Sequence, residues 1–549
     1  MLKDRDIAER TKLKPIEEIA ASLSIPSEDL IHYGRHIAKV RSSLYGRLAK
    51  RSGGRLILVT AMSPTPAGDG KTTVTIGLAQ AFKALGLRAS ACIRQPSLGP
   101  FFGSKGGATG GGYSQVLPAD DIAMQFTGDD YAVISAHSLI SSVLDNHVHY
   151  GNRLGIDTAN IFWRRVAPIS DRALRKVVVS PGTEEERTEE FHISAASEIM
   201  STLCLVRDLD EFRARAGQIL LALDKNGRPV TVDDLKIGGA VTALMRSAVN
   251  PNLVQTNEGS PVFIHGGPFG NISLGCNSLI ATSLAMKVSD YVLSEAGFST
   301  ELGAEKFFDI KCRAGGLHPS AAVIIATTRA LRFHGGAKDY LKKDTEALKR
   351  GLDNLGKHIE NIRSFGVPFI VAINRYPDDD DLEIDALASM ITDMGAEASV
   401  VDVFERGGKG GVDCAERLVK KAREGGAFKF LYKTDEPVIE KIGAVALNMY
   451  GAEKVELCDE AKRDLAIVER LSYDALPVCI AKTPRSLSDN PKLLGRPRPF
   501  TLKVKRIRPA LGAGYLVVEC GEILLMPGLP ENPRAELMDV DAEGRITGI

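Results

Sequence analysis

A glycine-rich loop between an apolar run and a helical stretch constrains the fold of this chain more than any other feature. Residues 55–60 (RLILVT) are almost continuously apolar, which is typical of a strand buried on both faces of a parallel sheet. A helix is predicted from about residue 71 to residue 85, with Gly86 as its terminator, and residues 89–93 predict a second strand. This order of strand, loop, helix and strand predicts a βαβ unit.

The loop itself has the composition of a phosphate-binding turn. It consists of Thr65, Pro66, Ala67, Gly68, Asp69, Gly70, Lys71 and Thr72. Glycines let backbone N–H groups approach an anion closely, and the N-terminus of the following helix adds a partial positive charge. Lys71 can reach the terminal phosphates of a nucleotide, and the Thr72 hydroxyl can ligate magnesium. The loop therefore predicts nucleotide binding, although Thr65 replaces the first glycine of the usual pattern. An ordinary glycine-rich turn is the alternative.

Further apolar runs separated by helical patterns predict an α/β fold with a mainly parallel sheet. The candidate strands are residues 291–293, 322–326, 368–373 and 398–403. Residues 1–50 are expected to be helical, with Ser27 capping a helix that starts near Glu28. From about residue 500, alternating and turn-rich segments predict a small β-rich C-terminal region.

Composition argues against several classes of protein. Acidic and basic residues balance at 69 each, so no net charge recruits nucleic acid or an anionic membrane. The N-terminus (MLKDRDIAER) is charged from its third residue and lacks the apolar core of a signal peptide, and no run of about 18 apolar residues occurs, so neither a signal peptide nor a membrane span is expected. The eight cysteines form no C-x-x-C pair, which favours a reducing, cytoplasmic location and argues against a zinc site. The length predicts roughly two to four domains.

A second glycine-rich segment follows the second predicted strand. It starts at Arg94 (RQPSLGP) and continues with Gly103, Gly106, Gly107, Gly110, Gly111 and Gly112, before FTGD ends at Asp129. Loops after the carboxyl ends of strands line the ligand crevice of an α/β sheet, so Arg94 is expected to face the same pocket as Lys71. A guanidinium at this position can bind a phosphoryl oxygen or a carboxylate through paired hydrogen bonds. A closely packed turn with Arg94 in a salt bridge is the alternative.

Short motifs spread over nearly the whole chain carry a family resemblance. In order they are TPAGDGKTT, RQPSLGP, the run ending GGGYSQV, FTGD, DNHVHYGN, HGGPFGNIS, EAGF, LGAEKFFDIKCR, RFHGG, VAINRYP and AKTPRSLSDNPKLLGRP. With them the chain resembles the formate–tetrahydrofolate ligases (formyltetrahydrofolate synthetases) from about residue 10 onwards. The resemblance implies that formate attacks the γ-phosphate of MgATP to give formyl phosphate and ADP. The N10 amine of tetrahydrofolate then attacks the formyl carbon, giving 10-formyltetrahydrofolate and phosphate.

The resemblance also implies a domain arrangement. A P-loop NTPase-like sheet with helices on both faces is expected from residues 1–133 and 286–355, and an additional, inserted α/β domain from residues 134–285. Residues 356–549 are expected to form the folate-binding and C-terminal domain. A homotetramer and activation by a monovalent cation, K⁺ or NH₄⁺, are implied as well.

Several residues receive roles by the same resemblance. Arg94 is implied to bind formyl phosphate, and Asp129 to lie at the active site. We hypothesise that Asp129 orients the amine or receives its proton, with a loop cap as the alternative. Tyr376 and Phe404 are implied to sandwich the pterin, and such stacking contributes roughly 0.5–1.5 kcal/mol beyond area burial.

Four positions depart from the family pattern: Phe404 replaces a tryptophan, Gln95 a glutamate, and Gln125 and Leu274 histidines. The smaller ring predicts weaker pterin binding, and the uncharged Gln95 predicts reduced dependence on a monovalent cation. Two alternatives stay open. One is a weakened paralogue that binds ATP or a folate, and the other is a different P-loop ATPase. The latter class usually has an aspartate at the end of a second apolar strand, whereas Asp290 precedes its strand.

Overall fold

The computed structural model describes residues 3–103, 109–183, 185–542 and 544–548 of the chain. The α-helices are α1 (Asp4–Arg10), α2 (Ile16–Ser22), α3 (Ser43–Arg47), α4 (Lys71–Ala84), α5 (Leu98–Phe102), α6 (Ala119–Ala123), α7 (Asp129–His149), α8 (Glu198–Leu203), α9 (Leu209–Gly217), α10 (Gly238–Met245), α11 (Leu279–Val288), α12 (Arg313–Gly315), α13 (Thr328–His334), α14 (Thr345–Ser364), α15 (Asp381–Asp393), α16 (Val403–Arg406), α17 (Val412–Glu424), α18 (Val438–Val445) and α19 (Asp459–Arg470). Short 3-10 or π-helical segments are Ser27–Asp29, Arg172–Arg175, Ser194–Ala196, Thr300–Ala304, Phe307–Cys312, Gly407–Gly411, Ala446–Tyr450 and Arg534–Glu536.

The β-strands vary from two-residue pairs to long central strands. They are β1 (Leu30–His32), β2 (Ala38–Val40), β3 (Arg55–Ala61), β4 (Ala89–Ile93), β5 (Gly110–Gly111), β6 (Ser114–Leu117), β7 (Ile156–Ile161), β8 (Arg165–Ala167), β9 (Val177–Val179), β10 (Arg187–Glu189), β11 (Phe191–Ile193), β12 (Leu220–Asp224), β13 (Pro229–Thr231), β14 (Asn252–Thr256), β15 (Pro261–Ile264), β16 (Tyr291–Glu295), β17 (Pro319–Ala326), β18 (Phe369–Asn374), β19 (Ala398–Val401), β20 (Lys454–Leu457), β21 (Val478–Ala481), β22 (Thr501–Ala510), β23 (Tyr515–Cys520), β24 (Asp539–Val540) and β25 (Ile546–Thr547).

The largest sheet has the strand order β1-β2-β14-β15-β4-β16-β3-β17-β18-β19, with β6 on β14 and β5 on β6. From β15 to β19 every neighbouring pair is parallel. The pairs that β14 makes with β15, β2 and β6, and the pair β1–β2, are antiparallel. The predicted mainly parallel α/β fold is therefore confirmed.

Both faces of this sheet are covered by helices. In β3, Leu56 and Leu58 belong to one apolar core, whereas Ile57 and Val59 belong to the other. Helices α11 and α14 contribute to the first core, and α4 and α17 to the second. Because both of its faces are buried, β3 is apolar at nearly every position. This continuous apolar run is the pattern from which the strand was predicted.

The predicted βαβ unit is present as β3, α4 and β4, and Gly86 follows α4 with φ of +73°. The later candidate strands correspond to β16, β17, β18 and β19. In the sheet, β16 lies between β3 and β4. The chain therefore returns much later to complete the centre of the sheet, which local sequence patterns do not show.

The expected helix near Glu28 is wrong. Residues Ser27–Asp29 form one 3-10 turn, and β1 and β2 follow as an antiparallel pair that joins β14. Pairing of β2 with the distant strand β14 satisfies backbone groups here and overrides the roughly helical spacing of the apolar residues.

Smaller sheets lie beside the large one. Strands β13, β12 and β7 form one, and β20, β22, β23 and β21 form another, which contains the long strands after residue 500. The predicted domain limits fall inside helices: 133/134 in α7, 285/286 in α11 and 355/356 in α14. Each predicted range also contributes strands to the large sheet. The limits and the separate C-terminal region stay predictions. Over the described ranges, no helix has the length and apolarity needed to span a bilayer.

Candidate active site at the carboxyl edge of the large sheet

The loops that leave the parallel strands open onto one edge of the large sheet. The predicted phosphate-binding loop, residues 65–72 and called the phosphate loop below, follows β3. Arg94 directly follows β4, and β16 ends at Glu295. These strands are neighbours in the order β4-β16-β3. Because parallel strands end at the same edge, residues distant in sequence meet there.

The phosphate loop is held in a tight turn by its own residues and by one neighbour. Gly68 and Gly70 have φ of +85° and +72°, a region that glycine adopts without strain. The Asp69 carboxylate accepts hydrogen bonds from the Thr65 N–H at 3.0 Å and from the Thr327 hydroxyl at 3.1 Å. Burial raises the pKa of Asp69, while these hydrogen bonds oppose that shift. The carboxyl group thus closes the base of the loop.

Glu295 connects the phosphate loop with Arg94. The Thr72 hydroxyl donates to Glu295 Oε2 at 2.7 Å, and Arg94 Nε lies 3.7 Å from Glu295 Oε1. The Glu295 side chain is 1% exposed and the Arg94 side chain 28%. Lys71, the first residue of α4, donates from Nζ to the carbonyl of Phe298, just beyond β16. Lys71, Thr72 and Arg94 therefore lie around the end of β16.

Glu295 is not among the site residues predicted from the sequence. The predicted strand stops at Leu293, and the acid expected at a strand end is an aspartate. The observed strand continues to a glutamate, paired in register with Val59 of the phosphate-loop strand. The available signal was a carboxylate two residues after the apolar run YVL.

A hydroxyl and a carboxylate side by side suit Mg²⁺, which prefers oxygen ligands and keeps waters or phosphate oxygens in its other positions. Two buried atoms here, Glu295 Oε1 and Arg94 Nε, have no hydrogen-bond partner. Across the described ranges, no group of three or more His, Cys, Asp or Glu residues forms a cage for a metal. The Thr72 hydroxyl and the Glu295 carboxylate fit a magnesium ion whose other positions are taken by waters or phosphate oxygens.

Asp129 lies at the same edge, but both of its oxygens have partners. Lys39 Nζ donates to Oδ1 at 2.7 Å, and Asn252 Nδ2 donates to Oδ2 at 2.8 Å. Lys39 and Asp129 form a buried ion pair at the start of α7. Lys39 was not predicted to be part of this edge, although a lysine within the apolar run IAKV is a signal of a buried cation.

The two predicted aromatic residues occupy different surroundings. Tyr376 follows β18 and is half-buried near the phosphate loop, since Asn374 Nδ2 donates to the Asp69 carbonyl at 3.1 Å. Phe404 is half-buried against the second glycine-rich segment, and its carbonyl accepts from the Tyr113 N–H at 2.8 Å. A Cβ at Gly112 would lie 2.1 Å from that carbonyl oxygen, so the contact requires glycine. The pterin sandwich stays a prediction.

The other departures from the expected pattern differ in their surroundings. Leu274 is fully buried in the core and Gln125 is exposed. Gln95 is 7% exposed, and its Oε1 is buried without a hydrogen-bond partner. Gly106 and Gly107 of the second glycine-rich segment lie outside the described residues.

Comparison with known proteins gives matches along the full chain. The sequence model of the family described as "Formate--tetrahydrofolate ligase" matches residues 2–549. The formate--tetrahydrofolate ligase of Symbiobacterium thermophilum is 49% identical over 555 aligned residues, covering 100% of both chains. Those of Bacillus pumilus and Bacillus licheniformis are 48% and 47% identical, each covering 100% of this chain and 99% of the relative.

Proposed function

The chain belongs to the formate–tetrahydrofolate ligase family, and from this premise we propose that it ligates formate to tetrahydrofolate with MgATP, giving 10-formyltetrahydrofolate, ADP and phosphate. The proposal includes a nucleotide site of the P-loop type at residues 65–72 and a formyl phosphate intermediate. The observation that carries the proposal is that Glu295 contacts both Thr72 and Arg94. One of its carboxylate oxygens accepts a hydrogen bond from Thr72, and the other forms an ion pair with Arg94.

The first step transfers the γ-phosphoryl group of ATP to formate. Phosphoryl transfer depends mainly on alignment and charge neutralisation, which the loop N–H groups and Lys71 supply. Magnesium held by Thr72 and Glu295 would neutralise charge on the phosphates. A formate oxygen attacks the γ-phosphorus, and the bond to the leaving ADP breaks.

Arg94 is proposed to hold the resulting acyl phosphate. Its buried Nε faces Glu295 Oε1 at 3.7 Å, and the side chain as a whole is 28% exposed, so we propose that the outer part of the guanidinium donates to a ligand oxygen. A Cβ at Gly297 would lie 3.1 Å from the guanidinium carbon, so the backbone after β16 packs closely against Arg94. This packing supports a fixed position for the intermediate.

The second step joins the formyl group to tetrahydrofolate. The N10 lone pair attacks the formyl carbon, and the carbon–oxygen bond to phosphate breaks. Tyr376 and Phe404 are proposed as the walls of the pterin site. Asp129 enters as the residue that orients the amine or takes up its proton, because each carboxylate oxygen can accept a further hydrogen bond beside the one from Lys39 or Asn252. Unaltered turnover in an Asp129→Asn variant would refute that role.

The coupled assay tests the whole proposal. We expect ADP release that needs formate, ATP and tetrahydrofolate together, with formation of 10-formyltetrahydrofolate. Formate-dependent exchange between ADP and ATP in the absence of tetrahydrofolate tests the formyl phosphate step. Binding of ATP or tetrahydrofolate without turnover would instead support the weakened paralogue. A homotetramer, a cytoplasmic location and a response to K⁺ or NH₄⁺ are further parts of the proposal.

A further inference from the structure

One face of the Tyr376 ring is covered by an arginine. The guanidinium carbon of Arg329 lies 3.9 Å from the ring centroid, and the same guanidinium pairs with Asp378. A cation over an aromatic face is attracted by the ring quadrupole, and a planar guanidinium can also stack on it. The contact occupies one face of the half-buried ring and restricts how the ring can tilt.

The segment that carries this arginine also holds the phosphate loop. Thr327 donates to Asp69 Oδ1 at 3.1 Å, and Thr328 donates to Asp379 Oδ1 at 2.6 Å. Asp379 Oδ2 in turn accepts from the N–H of Tyr376 at 2.8 Å. Three consecutive residues therefore fix the base of the phosphate loop, the backbone of Tyr376 and the face of its ring.

The charge of Asp69 in the phosphate loop also acts on the Tyr376 ring. Burial, followed by the negative charge of Asp69, raises the pKa of Tyr376 above its ordinary value. The Asn374 side chain, two residues before the tyrosine, donates a hydrogen bond to the backbone carbonyl of Asp69. Contacts from the segment at residues 327–329 and from Asn374 thus both connect the position of the ring to the loop.

We propose that Arg329 is a positioning residue for tetrahydrofolate, which holds one face of Tyr376 so that the other face stacks on the pterin beside the phosphate loop. The inference rests on the proposed function and adds a residue to it. Arg329 acts through Tyr376, because it fixes the ring before the ligand arrives. Fixing a binding group in advance reduces the entropy lost on binding.

A neighbouring arginine provides a matched control. Arg375 directly precedes Tyr376, is 37% exposed, and pairs with Asp381 at 2.7 Å; Arg329 is 25% exposed. Residues 378–381 are four consecutive aspartates, and Arg329→Gln and Arg375→Gln each remove the cation that pairs with one of them. Of the two arginines, Arg329 is the one whose guanidinium lies over the ring. Arg329→Lys keeps the charge and removes the planar group.

We expect Arg329→Gln to raise the KM for tetrahydrofolate by about three- to tenfold. The dissociation constant of tetrahydrofolate, measured by calorimetry without ATP, should rise by a similar factor. The KM for ATP and the rate at saturating tetrahydrofolate stay unchanged. Arg329→Lys recovers part of the affinity, and Arg375→Gln behaves like the unaltered protein. In a Tyr376→Ala background, Arg329→Gln causes no further loss, because the ring on which it acts is gone.

Other results would overturn the inference. Unchanged tetrahydrofolate binding in Arg329→Gln rules out the positioning role, and equal losses in both glutamine variants indicate a general charge effect. A parallel loss of ATP affinity and thermal stability indicates a purely structural residue. If the unaltered protein binds tetrahydrofolate but makes no product, the proposed reaction fails, and the calorimetric comparison still tests Arg329.

Discussion

Glu295 is the residue whose charge organises the candidate site. It accepts from Thr72 and faces Arg94, and its side chain is buried at the end of β16. Glu295→Gln keeps the shape but removes the charge that a magnesium ion would meet. We expect kcat/KM for MgATP to fall by about 100-fold, as when a single preorganised electrostatic contact is lost. Half-maximal activity should also require more magnesium.

Initial rates of ADP release over a magnesium titration measure this effect. Asp290→Asn is the matched control, because Asp290 precedes the same strand at its opposite end and pairs with Arg88 at 2.9 Å on the surface. An unchanged magnesium dependence in Glu295→Gln would show that Glu295 is not part of the proposed nucleotide site.

Gln95 gives a prediction about the monovalent cation. Its buried Oε1 offers a dipole rather than a full charge, so it attracts a cation more weakly than a carboxylate would. We expect the rate to respond less to K⁺ than in a Gln95→Glu variant. Rates at rising KCl, with choline chloride holding the ionic strength constant, measure the response. Equal responses would contradict the prediction, and a thermal melt checks that the added buried charge has not unfolded the variant.

His358 gives a prediction about pH. Burial lowers the pKa of His358 to about 4, below its ordinary value of 6.5. The Ser63 N–H donates to its Nε2 at 2.9 Å, so Nε2 is the acceptor and Nδ1 carries the proton, 2.6 Å from the Thr300 hydroxyl. Between these pKa values the unfolded chain binds a proton that the folded chain does not. The contribution of His358 to stability is therefore complete above pH 6.5 and is lost as the pH falls towards 4.

The expected change is visible as a difference between two proteins. Relative to His358→Gln, the unaltered protein should lose about 2–3 kcal/mol of unfolding free energy between about pH 7.5 and pH 4.5. Urea unfolding at a series of pH values measures both curves. Curves that stay parallel would show that His358 does not take up a proton on unfolding.

Single residues were predictable where a local motif fixes their place. Lys71 and Thr72 follow from the loop composition, and Arg94 from its position after a strand, because the carboxyl ends of parallel strands share an edge. Glu295 and Lys39 were not predicted as site residues, because their importance comes from contacts with residues more than 80 positions away. No local pattern reports such a contact.

At the scale of elements, the central βαβ unit could be predicted and the N-terminal strands could not. Strands β3 and β4 and helix α4 have strong local patterns and clear boundaries. Strands β1 and β2 each span three residues, and their pairing depends on β14, more than 200 residues later. A weak local preference for helix is overridden there by tertiary pairing.

The packing of α4 against the segment that carries Phe404 gives a prediction at this scale. A Cβ at Gly77 would lie 2.3 Å from Cβ of Val403 and 2.8 Å from Oγ of Ser114. Alanine in a helix gains about 0.5–1 kcal/mol over glycine, whereas overpacking costs about 1–3 kcal/mol, so the clash should win. We expect Gly77→Ala to lower stability, and also tetrahydrofolate binding, if Phe404 lines that site.

Gly443 in α18 supplies the control, since a Cβ there meets only Leu447 Cδ1, at 3.9 Å. Gly443→Ala should therefore raise stability by up to about 1 kcal/mol. Thermal and urea unfolding measure both variants. Stabilisation by both substitutions would show that α4 can move away from Val403 at little cost.

At the scale of the whole molecule, the large sheet joins parts of the chain that were predicted to be separate domains. Strands β4, β15, β16 and β18 come from the four predicted ranges. Their alternate residues fill two cores, one on each face. The candidate site depends on this assembly, because its residues follow strands from different parts of the chain.

This arrangement predicts that residues 1–355 do not fold alone. Cutting there divides α14 and removes β18, so β17, whose residues 321–326 are fully buried, becomes an exposed apolar edge. We expect the fragment to aggregate or to unfold without cooperativity, as measured by sedimentation and thermal melts. Co-expressed fragments 1–340 and 341–549 should associate, because that cut lies between α13 and α14, at the exposed Leu341, and leaves every helix whole. A soluble 1–355 fragment that unfolds cooperatively would show instead that the part predicted to bind the nucleotide is an independent domain.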